Sequence, residues 1–139
     1  MSCDTLWDND LDWSLTENWF GVARVNSAES KAYCNLKVTS GHVVEIRDKV
    51  QVDDDSFQAF VGLCHIKDYA AFWAALDDDE PIAGEHQISN GIKALISDGK
   101  SPALPVAWTD VGDAEKYNRT VGRYENCEFI KRYEALDLV

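Results

Sequence analysis

The spacing of apolar positions along this chain predicts strands in its first half and helices in its second. Trp19 to Val25 is aromatic and β-branched enough to form a strand. Lys31 to Val38 and His42 to Asp48 read as two more strands, joined through Thr39-Ser-Gly41, a turn signal. Val43, Val44 and Ile46 give the second of these its β-branched content. Phe57 to Ile66 is apolar nearly throughout and predicts a buried strand, in which Gly62 permits close approach of another backbone. The period then changes. Tyr69, Phe72, Trp73 and Leu76 are spaced i, i+3, i+4, i+7, the stripe of an amphipathic helix whose aromatic side chains belong in the core. Pro81 to Gly84 break the chain, and Ile88, Ile92, Leu95 and Ile96 mark a second helix that Gly99 ends. Pro102 and Pro105 flank a last short strand, Ala103 to Trp108, and Asp113 to Tyr124 reads as a helix with Asp113 at its N-cap.

The two ends are less regular. Met1 to Trp7 is short for an opening strand, and Asp8 to Asn18 is a polar stretch read as a loop or a frayed helix around Trp13 and Leu15. Glu125 to Val139 is mixed, with room for a short helix packed back on the domain. Together these elements predict one α/β domain over residues 1–139, a mixed sheet with flanking helices. The order contains no βαβαβ run able to build a doubly wound sheet by itself.

Composition narrows the partners. The chain has 139 residues, enough for one buried core, and its 45% hydrophobic and 27% charged content is that of a globular protein. A formal net charge of −12 repels nucleic acid and anionic lipid surfaces, although a local basic site could still hold a phosphate. No apolar run approaches the ~20 residues that span a bilayer, and Met1 to Asp4 lacks the features of a signal peptide, so the expected compartment is the cytoplasm. Asp53 to Asp55 and Asp77 to Glu80 read as solvated loops, without calcium-loop spacing. Cys3, Cys34, Cys64 and Cys127 form no CxxC pair, and His42, His65 and His86 stand alone, which predicts reduced thiols and no zinc site.

The candidate chemistry centres on Trp108-Thr-Asp-Val-Gly-Asp-Ala-Glu-Lys-Tyr117. Asp110 sits where a strand hands over to a helix, the place where open α/β sheets present ligand-binding groups. Read locally, Asp110 and Asp113 serve equally well as turn and cap residues. Three other motifs accompany them: Cys3-Asp-Thr-Leu-Trp7, Val44-Glu-Ile-Arg-Asp-Lys49 and Gly84-Glu-His-Gln-Ile-Ser-Asn-Gly91. In order and spacing the four resemble the second half of the sugar-1-phosphate nucleotidyltransferase family, over nearly the whole chain. Ala59 to Leu63, followed by Tyr69 and Phe72-Trp73, adds to the likeness.

The resemblance implies a role for each matching position. Asp4 and Asp110 match the family's metal-binding aspartates and would hold Mg²⁺ together. Gly21 matches a glycine whose backbone approaches the sugar, and Glu85 a glutamate that hydrogen-bonds sugar hydroxyls. Lys49 matches a lysine that contacts sugar or phosphate, with Asp48 and Val50 standing where the family has glutamate and proline. The implied reaction sets an oxygen of a sugar-1-phosphate against the α-phosphorus of a nucleoside triphosphate and expels pyrophosphate. Such a site needs a cation between the anions but no general base, because the attacking phosphate is already ionised.

The chain departs from the family at one large feature. The GxGxRxxPxTK loop that wraps the triphosphate is absent from these residues. The expectation is therefore an acceptor half, inactive alone, which a complementary chain carrying the nucleotide-binding half would complete. The alternative is a non-catalytic sugar-phosphate-binding or assembly module derived from that fold.

Overall fold

A computed structural model of the protein describes residues 5–77 and 87–124. In chain order the elements are β1 (Thr5–Trp7), β2 (Trp19–Ala23), α1 (Ser27–Ser30), β3 (Cys34–Thr39), β4 (His42–Asp48), β5 (Phe57–His65), α2 (Tyr69–Asp77), α3 (Ile88–Leu95), β6 (Ala103–Pro105), β7 (Trp108–Asp110) and α4 (Ala114–Tyr124). Five strands form a mixed sheet in the order β4-β3-β5-β2-β6, antiparallel except for the parallel β2–β6 pair. β1 and β7 make a separate antiparallel pair in which Thr5 faces Asp110 and Trp7 faces Trp108. The predicted mixed α/β class is the one observed. No helix among the described residues is long and apolar enough to cross a membrane.

Alternation along the strands feeds two cores. Phe20 and Val22 of β2, with Leu36, Val43 and Phe60, pack against Phe72 and Leu76 of α2 and Ile92 and Leu95 of α3. Trp19, Val61 and Leu63 point the other way and pack with Val106, Trp7 and Trp108. The β2–β5 part of the sheet is therefore covered on both faces, by helices on one side and by the β1–β7 pair and the 8–18 stretch on the other, whereas Val44 of β4 is exposed. Gly91 lets the two helices close, because a Cβ there would meet the Phe72 ring.

A bulge in β5 shapes the sheet where the site lies. The β2–β5 register runs Phe20 to Cys64 and then Val22 to Phe60, so Val61, Gly62 and Leu63 oppose Gly21 alone. Gly62 takes a φ of +77°, open to glycine and strained for other residues. Opposite, a Cβ on Gly21 would lie 3.0 Å from the Leu63 carbonyl oxygen and 3.0 Å from a Val61 methyl. Thr5 ties the small sheet to this bulge by donating its hydroxyl to the Val61 carbonyl at 2.6 Å.

Several sequence expectations change. The run Ala103 to Trp108 is not one strand: it divides between β6 and β7, which belong to different sheets. Pro105 supplies no N–H, and Asn9 fixes the joint by accepting the Ala107 N–H at 2.6 Å and donating to the Pro105 carbonyl at 3.3 Å. The strand expected from Lys31 begins at Cys34, because Asn26 caps the short helix α1 by accepting the Glu29 N–H. The aromatic stripe of α2 is only half core. Phe72 and Leu76 are buried, whereas Tyr69 is 67% and Trp73 59% exposed. Helix α4 keeps its predicted cap, with the Asp113 carboxylate accepting the Lys116 N–H at 2.8 Å. The expectation for Glu125 to Val139 lies outside the described residues.

Candidate functional site

Asp110 is the last residue of β7, and the chain turns there into α4. Its Oδ1 accepts the Gly112 N–H at 2.8 Å, closing the turn. Its Oδ2 accepts the Tyr33 hydroxyl at 2.7 Å and the Lys116 ammonium at 2.6 Å. Lys116 also reaches the Asp113 carboxylate at 3.2 Å and the Tyr33 oxygen at 3.4 Å. The first turn of α4 thus folds its lysine back over the carboxylate that precedes it. Tyr33 arrives from just before β3 and sets its ring edge-on to Trp108, with centroids 5.2 Å apart.

This network forms the polar end of a cleft of about 580 Å³, a size typical of small-molecule sites. Val61, Gly62 and Cys64 of the bulged β5 line it, Thr5 of β1 and Ile88 of α3 contribute to its sides, and Trp108 forms part of the wall. The Trp108 indole N–H is buried there without a hydrogen-bond partner among the described residues.

Electrostatics lock the charges at this end. Burial works against the charged form of Asp110, but the bonds from Lys116, Tyr33 and the Gly112 N–H outweigh it and hold the carboxyl below the usual range. The Lys116 ammonium is held well above the ordinary lysine value, chiefly by its bond to Asp110. Burial, and then the bond to Asp110, push the Tyr33 phenol up. Asp113 is lowered, first by the Lys116 backbone N–H it caps.

Of the residues to which the family resemblance assigns a role, Asp110 alone among the described ones lines this cleft. Gly21 is buried in β2 between two strands, and the crowding by Leu63, Val61 and Val106 accounts for its missing side chain. Lys49 follows β4 with its side chain exposed and takes a φ of +52°, an uncommon conformation outside glycine. Its N–H donates to the Tyr33 carbonyl at 3.0 Å, so it borders the site through the backbone. Asp4 and Glu85 lie outside the described residues.

The sequence reading gives no role to Tyr33, nor to Lys116, although Lys116 falls within the Trp108–Tyr117 motif. Tyr33 is 77 positions from Asp110 and carries no local signal. Lys116 does carry one: it stands at the third helical position after an aspartate cap, where a capping box has Glu or Gln. A cation in the first turn opposes the helix dipole and calls for a carboxylate nearby.

The described donors do not make up a magnesium site. No group of three or more His, Cys, Asp or Glu side chains among the described residues is arranged to hold a metal ion. Both Asp110 oxygens are engaged, one of them by an ammonium.

No protein-family model matches the chain, and neither does any curated protein sequence. Among solved structures, its fold is similar to that of a Bacillus anthracis protein described as a glucose-1-phosphate thymidylyltransferase, in complex with a sucrose. The TM-score is 0.68 at 15% sequence identity, over 88% of this chain and 52% of that one. At that identity the likeness is one of fold, and the fold is nucleotidyltransferase-like. The chain spans about half the length of that protein.

Proposed function

We propose that this half of a nucleotidyltransferase-like fold holds a phosphorylated sugar in the cleft beside Asp110. In this reading, nucleotidyl transfer requires a complementary chain that supplies the triphosphate-binding half. The carrying observation is the Asp110–Tyr33–Lys116 network at one end of an otherwise apolar cleft. A sugar is a ring of hydroxyls that donate and accept, with apolar C–H faces. Asp110 Oδ1, which takes only the Gly112 N–H, would accept a sugar hydroxyl, the Tyr33 oxygen would accept another, and the Trp108 wall would pack the ring. The phosphate would project towards Lys49, at the exposed end of the backbone that holds Tyr33. The neighbour's description, with its glucose-1-phosphate and its bound sucrose, supports the same ligand class. In the completed assembly a phosphate oxygen of the bound sugar would displace pyrophosphate from the α-phosphorus of a nucleoside triphosphate.

A second reading, a non-catalytic sugar-phosphate-binding module, draws on a specific observation. Asp110 is already neutralised by Lys116, and neither Gly21 nor Lys49 lines the cleft. Calorimetric titration with glucose-1-phosphate and with nucleoside triphosphates tests both. Glucose-1-phosphate is expected to bind, about tenfold or more weakly once Asp110→Asn removes a charged hydrogen-bond acceptor, and triphosphates are expected not to bind. Absence of binding by any sugar phosphate would sink both readings. Binding without pyrophosphate release when a complementary half is supplied leaves the non-catalytic one.

A further inference from the structure

We propose that Lys116 is the resident cation of this cleft, its ammonium standing on Asp110 where a divalent ion would have to bind, so that the site works without magnesium. The inference deepens the reading of the cleft given above. Its test reads metal rather than sugar, so the two can fail separately.

The geometry carries it. The ammonium is surrounded by three oxygens: it donates to Asp110 Oδ2 at 2.6 Å and to the Tyr33 oxygen at 3.4 Å, and it pairs with Asp113 Oδ2 at 3.2 Å. Asp110 has little left to offer a metal, since Oδ2 also takes the Tyr33 hydroxyl and Oδ1 the Gly112 N–H. Magnesium asks for six oxygens near ~2.1 Å in an octahedron. An ion bound to Oδ2 would press against the ammonium, and like charges at such a distance repel strongly. Lys116 is also hard to displace. It springs from the first turn of α4, whose start is fixed by the Asp113 cap, and its ammonium lies 5.7 Å from the centroid of the Tyr33 ring. The positive end of the helix adds to the positive potential that a second cation would meet.

The arrangement explains why a lysine tolerates the unfavourable end of a helix. It stands between two carboxylates that would otherwise repel each other, and it leaves the cleft end with one net negative charge rather than two. Such an end accepts hydroxyls well and does not depend on the supply of a metal.

The test is manganese titration of the full chain, which includes Asp4, followed by paramagnetic broadening of the Gly112 amide signal. The wild-type chain is expected to show no broadening at Gly112 in the millimolar range. Lys116→Met leaves Asp110 and Asp113 without their cation, and it is expected to gain manganese affinity by about tenfold or more, as removal of an adjacent positive charge predicts. Manganese that binds the wild-type chain, broadens Gly112 and is lost in Asp110→Asn overturns the proposal. A Lys116→Met chain that retains native amide dispersion and still ignores manganese overturns it as well. Should that variant not fold, the wild-type titration decides alone.

Discussion

The Asp110–Lys116 pair should be strongly coupled, and a double-mutant cycle measures by how much. Asp110→Asn is the right perturbation because it keeps the shape of the side chain while the charge is gone. Its amide oxygen can still accept the Gly112 N–H, and the NH2 that replaces Oδ2 can donate to the Tyr33 oxygen. Lys116→Met keeps most of the stem and removes the ammonium. The groups lie 2.6 Å apart, with side-chain exposures of 16% for Asp110 and 32% for Lys116, neither fully wet nor dry. An effective dielectric of about 40–80 at that distance gives about 1.5–3 kcal/mol of attraction. Desolvation and the ordering of the lysine stem subtract from this, leaving an expected coupling of about 1–2 kcal/mol, above the usual surface pair. Urea unfolding of the four chains at neutral pH supplies the numbers. The pH dependence has a definite sign. Because the folded-state pKa of Asp110 is lowered from 3.8, its contribution is present above that value and lost as pH falls through the folded pKa. A coupling below about 0.3 kcal/mol at neutral pH, within the error of such cycles, would refute the pair as drawn.

Three further outcomes are expected. Gly21→Ala should destabilise by about 1–3 kcal/mol, because its Cβ would press on the Leu63 carbonyl as well as on Val61 and Val106. If that variant is as stable as the wild type in urea but loses glucose-1-phosphate, Gly21 serves the ligand and not the sheet. Gly91→Ala should cost about 1–3 kcal/mol through the Phe72 ring despite a helix-propensity gain of about 1 kcal/mol, and a raised melting temperature would contradict the packing. Burial, with Asp48 adding to it, pushes the Cys34 thiol from 9.0 to about 12. Peptide mapping after iodoacetamide treatment at mildly alkaline pH should find it alkylated only in denaturant, and stability should decline as pH rises from 9.0 towards about 12. Rapid native alkylation would show that the thiol is open to solvent.

Much of the architecture was already set by local chemistry. The turn at Ser40-Gly41, the apolar run of β5, the α3 stripe of Ile92 and Leu95 and the Asp113 cap each depend on residues within a few positions of one another. The position of Asp110 at the end of a strand was legible for the same reason. Exposure along α2 was not: Tyr69 and Trp73 have the spacing of core residues, and only the lie of α2 against α3 and the sheet turns them outward.

The sequence by itself determined most of the elements, the mixed α/β class and the placement of one carboxylate at a strand-to-helix junction. Tertiary structure decided what that carboxylate meets. Tyr33 comes from 77 positions away, and the division of Ala103 to Trp108 between two sheets aims Asp110 at it. The bulge around Gly62 opens the cleft and makes Gly21 a packing residue. Periodicity reports which way a side chain leaves its own element, because backbone geometry repeats every few residues. It holds no record of the distant group waiting on the other side, and the chemistry of this cleft lies in those distant pairs.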